Sequence, residues 1–441
     1  MEEVVTLCAA TQAMCAVAEA QGVGTFRGAE AGGARVACAE TSTMIYAVSS
    51  RCGDGVGTLV NQLEHVRATM TSCVTNVALE EALVRNPRFD VGRALEMATR
   101  AEARLSACAS GLSRETPYVF GTYRSVGLES GVRKACAKAL GDATRAVSKP
   151  FAGVVFGADD GRLVTYVKPR GNRPATISPK DMIVLMNYAR VMSRAEADSA
   201  TTSEEPSTSR AETFGRVCLP EFNSNGFMHA YVSYVVAQVQ KNEDDDEENK
   251  SDSDESMRTV GVCFLTASAD ALEECRVARD ALETKLNADG SLAKVATAVR
   301  TELSIADLPS EALCGFQAEN GEPLLHFVYN RPARHQHVSS ATPPGEDVEA
   351  MTRSYAALYA AMRETVDVVD KSVTPPFQGA AQRVRYERRA RRSVLACVGG
   401  DFEIYLTLES TAAVTVAVGL CNRLCVYLRV SEPELFLELP M

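Results

Sequence analysis

FAGVVFGADDGRLVTYV, from Phe151 to Val167, holds two β-rich runs, Gly153–Phe156 and Leu163–Val167, around Ala158-Asp159-Asp160-Gly161. Two such runs flanking an Asp/Gly cluster predict a β-hairpin. Ser178-Pro179-Lys180-Asp181 then opens a helix: Ser caps, Pro takes the first turn, and Asp sits at the capping-box position. Met182, Leu185, Met186, Ala189 and Met192 recur at helical spacing and give that helix one apolar face. Three strands are expected next, Arg216–Phe222, Phe227–Val235 and Val260–Leu265. A helix with Leu272, Cys275, Arg279, Leu282 and Leu286 on one stripe follows, then a second helix from Ser291. The order reads β-β-α-β-β-β-α-α.

Both outer thirds echo this order. The first third gives a helix over Glu2–Glu19, strands at Arg35–Ala39 and Met44–Val48, and a second helix over Val91–Ala107. Between them Leu59, Leu63, Val66, Met70, Cys73 and Val77 form one helical stripe. The last third gives a strand at Leu325–Tyr329 and a helix over Asp347–Val369. On that helix Val348, Met351, Tyr355, Leu358, Met362, Val366 and Val369 share a face. Strands near Val384, Val394 and Phe402–Leu408 precede a helix through Leu428. The expected fold is α/β of the α+β kind, three units with antiparallel sheets and flanking helices, the first cut short at its front. The units span 1–111, 151–308 and 320–441, with a helical linker at 112–150 and inserts at 197–212 and 241–257. Ser199–Ser209, the acidic run and Ser339–Glu346 lack the apolar content to order themselves and read as surface-loop insertions.

The 441 residues fit about three domains. With 46% hydrophobic and 23% charged residues, a wholly disordered chain, a collagen and a small disulfide scaffold are excluded. Net charge is −11, but Asn242–Ser256 alone holds nine acidic residues and one lysine. The remainder is nearly neutral, and a dedicated nucleic-acid binder is not indicated. Among 14 cysteines there is no Cys-x-x-Cys, and the closest pair, Cys421 and Cys425, lies i, i+4 on an apolar helix. Buried thiols in a reducing cytosol are expected. No leader-like start is evident, and the apolar run Ala412–Cys421 is too short to cross a bilayer.

Enzyme-like signals are thin. Gly53-Asp54-Gly55-Val56-Gly57 lies between a strand and a helix, but Thr58 stands where a dinucleotide fingerprint needs its third glycine. A strand-to-helix turn explains it. His65 reads as a solvated or interfacial helix residue, His229 and His326 as structural residues of strands. His335 and His337 could share a strand face but lack a third ligand. No catalytic group, cofactor site or metal site is expected. Arg383, Arg385, Arg388, Arg389, Arg391 and Arg392 form a dense cluster, either a solvated face or a contact for anionic phosphate groups, of lipid headgroups or of a protein partner. The acidic run reads as a solvated spacer, or as a kinase target in which Ser251, Ser253 and Ser256 suit an enzyme that prefers acidic surroundings.

Cys218-Leu219-Pro220-Glu221-Phe222-Asn223-Ser224-Asn225-Gly226, continuing through Tyr231-Val232-Ser233-Tyr234, resembles the signature of the SAND family of vacuolar fusion proteins, the Mon subunits of Mon–Ccz complexes. Leu163–Pro169, Leu325–Tyr329, Phe402–Leu406, Gln62–Val66 and Asn86–Asp90 extend the likeness along nearly the whole chain. The motif residues are Cys218, Leu219, Pro220, Phe222, Asn223, Gly226, Tyr231, Val232 and Ser233. Phe214 and Cys397 stand where the family usually has tryptophan. The resemblance implies three longin-like domains, each a five-stranded sheet with helices, the first here lacking its opening hairpin. It also implies pairing with a Ccz subunit as guanine nucleotide exchange factor for a late-endosomal or vacuolar Rab GTPase, without covalent chemistry. The protein would be cytoplasmic and recruited peripherally to late endosome or vacuole. Leu59, Leu63, Val66 and Met70 would then offer a partner interface, and the arginine cluster an anionic membrane contact. A trafficking scaffold or tether without exchange activity is the alternative.

Overall fold

The computed structural model describes residues 2–21, 26–41, 43–168, 177–201, 212–237, 260–313, 323–367 and 383–438. Asn242–Ser256, with Ser251, Ser253 and Ser256, lies outside them, as do most of Ser199–Ser209 and both Val369 and the residues just after it.

Three sheets organise the chain. The first contains β1 (Gly28–Ala31), β2 (Ala34–Glu40) and β3 (Ile45–Ser50) in the order β1-β2-β3. It follows α1 (Glu2–Ala20) and precedes α2 (Val56–Cys73), which packs on β2 and β3. Helices α3 (Asn76–Arg85), α4 (Val91–Glu96), α5 (Ala101–Arg114) and α6 (Thr116–Phe120), the two-residue strand β4 (Tyr123–Arg124) and α7 (Ser130–Arg145) come next.

The second sheet is β6-β5-β9-β8-β7, built from β5 (Pro150–Gly157), β6 (Leu163–Val167), β7 (Glu212–Val217), β8 (Met228–Val235) and β9 (Val260–Thr266), all neighbours antiparallel. Strand periodicity splits its residues between two cores. Val260, Val262 and Phe264 face α7, α10 (Leu272–Ala288) and α11 (Ser291–Arg300). Cys263 and Leu265 face α8 (Pro179–Thr201) with Met182, Leu185 and Met186. Covered on both faces, β9 reads as a continuous apolar run. Gly153 lets α7 approach: a Cβ there would lie 2.1 Å from the Thr144 hydroxyl.

After α9 (Pro220–Asn223) in the β7–β8 connection and α12 (Ser310–Leu313), the third sheet is β12-β13-β14-β10-β11-β4. Its strands are β10 (Leu324–Arg331), β11 (Gln336–Ser339), β12 (Arg383–Arg388), β13 (Arg392–Val398) and β14 (Glu403–Glu409). α13 (Val348–Asp367) covers one face and α14 (Val414–Leu435) the other. Numbered within each unit, the second and third sheets share one strand order, 2-1-5-4-3. The third gains β4 at its edge, parallel to β11. Ser125 then bridges to Leu163 of β6, with the Val126 amide donating to the Leu163 carbonyl at 2.9 Å. Residues 123–126 thus splice the two sheets together.

Several expectations need correction. The Leu59–Val77 stripe is broken at Val74–Thr75, where the Thr75 hydroxyl caps α3 by accepting from the Ala78 amide, so Val77 belongs to another helix. The strand expected over Arg216–Phe222 is Glu212–Val217, and Pro220 starts a one-turn helix instead. Segment 112–150 is not helical throughout, since it supplies β4. Ser339–Glu346 is ordered: Ser340 donates to the Phe327 carbonyl at 3.0 Å and Ala341 to the Leu303 carbonyl at 2.8 Å. β1 and β11 carried too few β-branched or aromatic residues to be read. Helix α14 is long and apolar enough to cross a membrane by length and composition, yet Leu420, Leu424 and Leu428 lie in the core of the third sheet.

Candidate interaction surfaces

The motif around Cys218 is a joint. The Cys218 amide donates to the Ser72 carbonyl at the end of α2, and the Asn76 amide to the Ser224 carbonyl, at 3.2 and 3.0 Å. These two bonds tie the first unit to the second. The Asp181 carboxylate accepts from the Glu221 and Phe222 amides at 3.1 and 2.9 Å, capping the one-turn helix at Pro220. Burial pushes Asp181 up to about 6, against those hydrogen bonds. Leu219 is buried, while Phe222 is 42% exposed and its ring lies 4.5 Å from that of Phe151. At Gly226 a Cβ would sit 2.9 Å from the Asn223 side chain. Tyr231, Val232 and Ser233 are buried in β8, where Arg279 donates to the Tyr231 and Ser233 hydroxyls.

Beside this joint Arg104 is buried with no carboxylate partner among the described residues, donating to the Ser72 hydroxyl and standing 5.0 Å from the Tyr188 ring centre. Burial lowers its pKa. Arg133 of α7 is likewise buried and donates only to carbonyls: Val164 at 2.7 Å, Val126 at 2.8 Å, Leu128 at 3.5 Å and Glu434 at 2.6 Å. Burial pushes it down to about 10. Leu437 beyond α14 exchanges two hydrogen bonds with the Gln336 amide. Neither arginine was singled out from the sequence, because an isolated Arg in a helix carries no local signature of burial.

Of the stripe residues, Leu59 and Leu63 are enclosed within the chain's own packing. Val66 is half-buried against Cys108, Tyr118 and Ile183, and Met70 is half-buried too. Their reach toward another protein is therefore limited to Val66 and Met70. A cleft of about 280 Å³ opens nearby between Asn61, Tyr118, Tyr359 and Arg363.

The arginine cluster lies on β12, an edge strand, and on its turn into β13. Arg385 and Arg389 both pair with Glu387, at 2.7 and 2.9 Å, and Arg392 pairs with Glu346. Arg383 donates to the Met362 carbonyl at 3.3 Å. Arg388 and Arg391, both exposed, have no ion pair among the described residues, so the free charge concentrates at the hairpin tip. Charge on an edge strand also discourages unwanted strand pairing.

His65 is buried, contrary to a solvated reading, edge-on to Tyr118 at 5.1 Å between ring centres. His326 lies 2.8 Å from the Tyr355 hydroxyl, and His337 lies between the Thr116 and Thr122 hydroxyls. His335 is in a left-handed turn at φ 57°, so it does not share a strand face with His337. Gly53 has φ 81° and Gly55 caps α2, as a strand-to-helix turn requires. Among the described residues no three His, Cys, Asp or Glu side chains are grouped to hold a metal.

The family model described as the second longin domain of FUZ, MON1 and HPS1 matches residues 151–282, which contain β5–β9, α8 and the motif. Curated relatives align far beyond that region. Vacuolar fusion protein MON1 of Cryptococcus neoformans is 23% identical over 381 residues, covering 86% of this chain and 52% of that protein. Along most of its length the chain is similar to MON1 vacuolar fusion proteins. The MON1 homologue of Arabidopsis thaliana is 26% identical over 291 residues (61% of this chain, 40% of that protein). Human MON1 homologue B is 22% identical over 410 (90% and 65%). The chain spans about half the length of the curated MON1 relatives it matches.

Proposed function

We propose that this chain is one subunit of a guanine nucleotide exchange factor for a late-endosomal or vacuolar Rab GTPase, acting with a Ccz subunit in vesicle fusion at the vacuole or lysosome. Kinship with MON1 proteins along most of the chain carries the reading. The shared strand order of the second and third sheets supports three longin-like units, the first being the three-stranded sheet beside α1 and α2. Exchange needs no nucleophile or base: the factor favours the nucleotide-free GTPase and shifts that population toward release. The protein would work in the cytoplasm, peripherally attached to its membrane.

Release of labelled GDP from the Rab, with this chain and its Ccz subunit purified together, tests the reading. Acceleration by at least tenfold (about 1.4 kcal/mol of barrier) is expected. No acceleration, with the first sheet completed as well, would leave the second reading, a trafficking scaffold or tether. The three-stranded first sheet favours that alternative for the chain as it stands.

Membrane attachment is assigned to the hairpin tip of β12 and β13. Arg388→Ala with Arg391→Ala should reduce sedimentation with acidic liposomes at low salt, at about 1 kcal/mol per charge. Arg385→Ala, whose charge Glu387 already offsets, should change it less. Equal binding by all three proteins would make the cluster a solvated edge only.

A further inference from the structure

Arg104 carries a charge that its protein surroundings do not balance. Its side chain leaves α5 where that helix packs on α2 and α8, and it is only 1% exposed. A buried cation is costly unless it is both paired and hydrogen-bonded. A guanidinium brings five N–H donors. Among the described residues the hydrogen bond of this one goes to the Ser72 hydroxyl, which itself donates to the Thr69 carbonyl at 2.6 Å. Its Nε is buried with no partner among them. The Tyr188 hydroxyl of α8 is buried and unpartnered in the same way, on a ring whose centre lies 5.0 Å from the guanidinium carbon. Gly215 of β7 makes room for that hydroxyl, because a Cβ there would stand 2.5 Å from it.

Negative charge is equally short. The ionisable groups that act on Arg104 are Cys73, Tyr188 and Cys218. Burial pushes the Cys73 thiol up and the Cys218 thiol up to about 12, so both stay protonated and neutral. Asp181, which also acts on Cys218, spends its two oxygens on the Glu221 and Phe222 amides. The C-terminal end of α2 offers about half a negative charge at most. Its Met70 and Ser72 carbonyls already accept from the Val74 and Cys218 amides.

We infer that Arg104 and Tyr188 hold one small monovalent anion, of the chloride class, at the joint between the first and second units. Water would satisfy the two donors but leave the charge, whereas a phosphate would bring a second negative charge into a buried site. A halide accepts from N–H and O–H without a fixed direction, which suits donors arriving from two different helices. It ties α5 to α8 beside the main-chain bonds of the Cys218 segment, so its occupancy sets how firmly the first unit is held.

Urea unfolding of the purified chain in chloride and in gluconate, at constant ionic strength, tests this. An anion bound by the folded state alone raises the folding constant about tenfold for each tenfold rise in chloride above its dissociation constant. Gluconate is too bulky to enter and should have no such effect. Bromide should substitute for chloride and scatter anomalously beside Arg104 in crystals. Arg104→Met removes both charge and donors and should abolish the chloride dependence. Tyr188→Phe keeps the ring, loses the hydroxyl, and should weaken chloride binding about tenfold. If Arg104→Met does not fold, Tyr188→Phe and the bromide position decide. Equal midpoints in the two salts would overturn the inference and leave water as the partner of these donors. A chloride effect that Tyr188→Phe leaves whole, or bromide found only elsewhere, would overturn it as well. None of these outcomes bears on GDP release, so the exchange-factor reading stands or falls separately.

Discussion

Between pH 7 and pH 5 the chain is expected to lose on the order of 4 kcal/mol of folding stability through His65 and His326, with His337 acting in the same direction. Burial holds His65 down to about 4, His326 down to about 3, and His337 well below its ordinary value. His65 and His326 remain neutral in the folded chain at pH 5, whereas in the unfolded chain all three gain protons from about pH 6.5 downward. The unfolded state binds more protons, so stability is full above pH 6.5 and falls as pH drops toward the folded values. His65 and His326 each cost about 2 kcal/mol at pH 5 by linkage. Urea midpoints at pH 7, 6 and 5 provide the measurement. His65→Phe keeps the edge-on contact with Tyr118 and should remove about 2 kcal/mol of the loss at pH 5. An unchanged midpoint between pH 7 and 5 would mean that these rings are hydrated.

Arg133→Met should destabilise the chain by about 3–5 kcal/mol, because it strips a buried donor from four carbonyls at once. The damage should be directional. Glu434 and Leu437 are held by Arg133 and Gln336, so the end of α14 should become protease-sensitive before either sheet opens. Arg133→Lys restores the charge but only a point-like donor, and should recover part of the loss. A midpoint within 0.5 kcal/mol of the parent, by the ordinary scale of surface substitutions, would show that water replaces the guanidinium.

Periodicity made the second unit legible because its elements are long and two-sided: β9 is apolar at nearly every position, and α8 opens with a capping sequence. The capping serine is confirmed in its role by the Asp181 amide, which donates to its hydroxyl at 3.0 Å. What stayed hidden depends on contacts distant in sequence. β4 is two residues long and exists only because β11 and Leu163 lie beside it. Asp181 looked like a capping-box acid, but its carboxylate reaches across to Glu221 and Phe222, about 40 positions away. The arginine cluster was visible as composition, and only the fold shows which charges Glu387 and Glu346 cancel.

The splice at residues 123–126 decides where the molecule can bend. With Tyr123 and Arg124 laid on β11 and Ser125 on β6, the second and third sheets are coupled like two planks sharing a batten, and the 434–437 tail is nailed across the same seam. Among the described residues the first sheet has no such batten: it is held through main-chain bonds at Ser72 and Ser224, the Asn187 amide donating to the Arg104 carbonyl, and the packing of α2 and α5 on α8. A force applied by a bound partner would therefore swing the first sheet about the Cys218 joint, using the rest of the chain as a stiff lever arm.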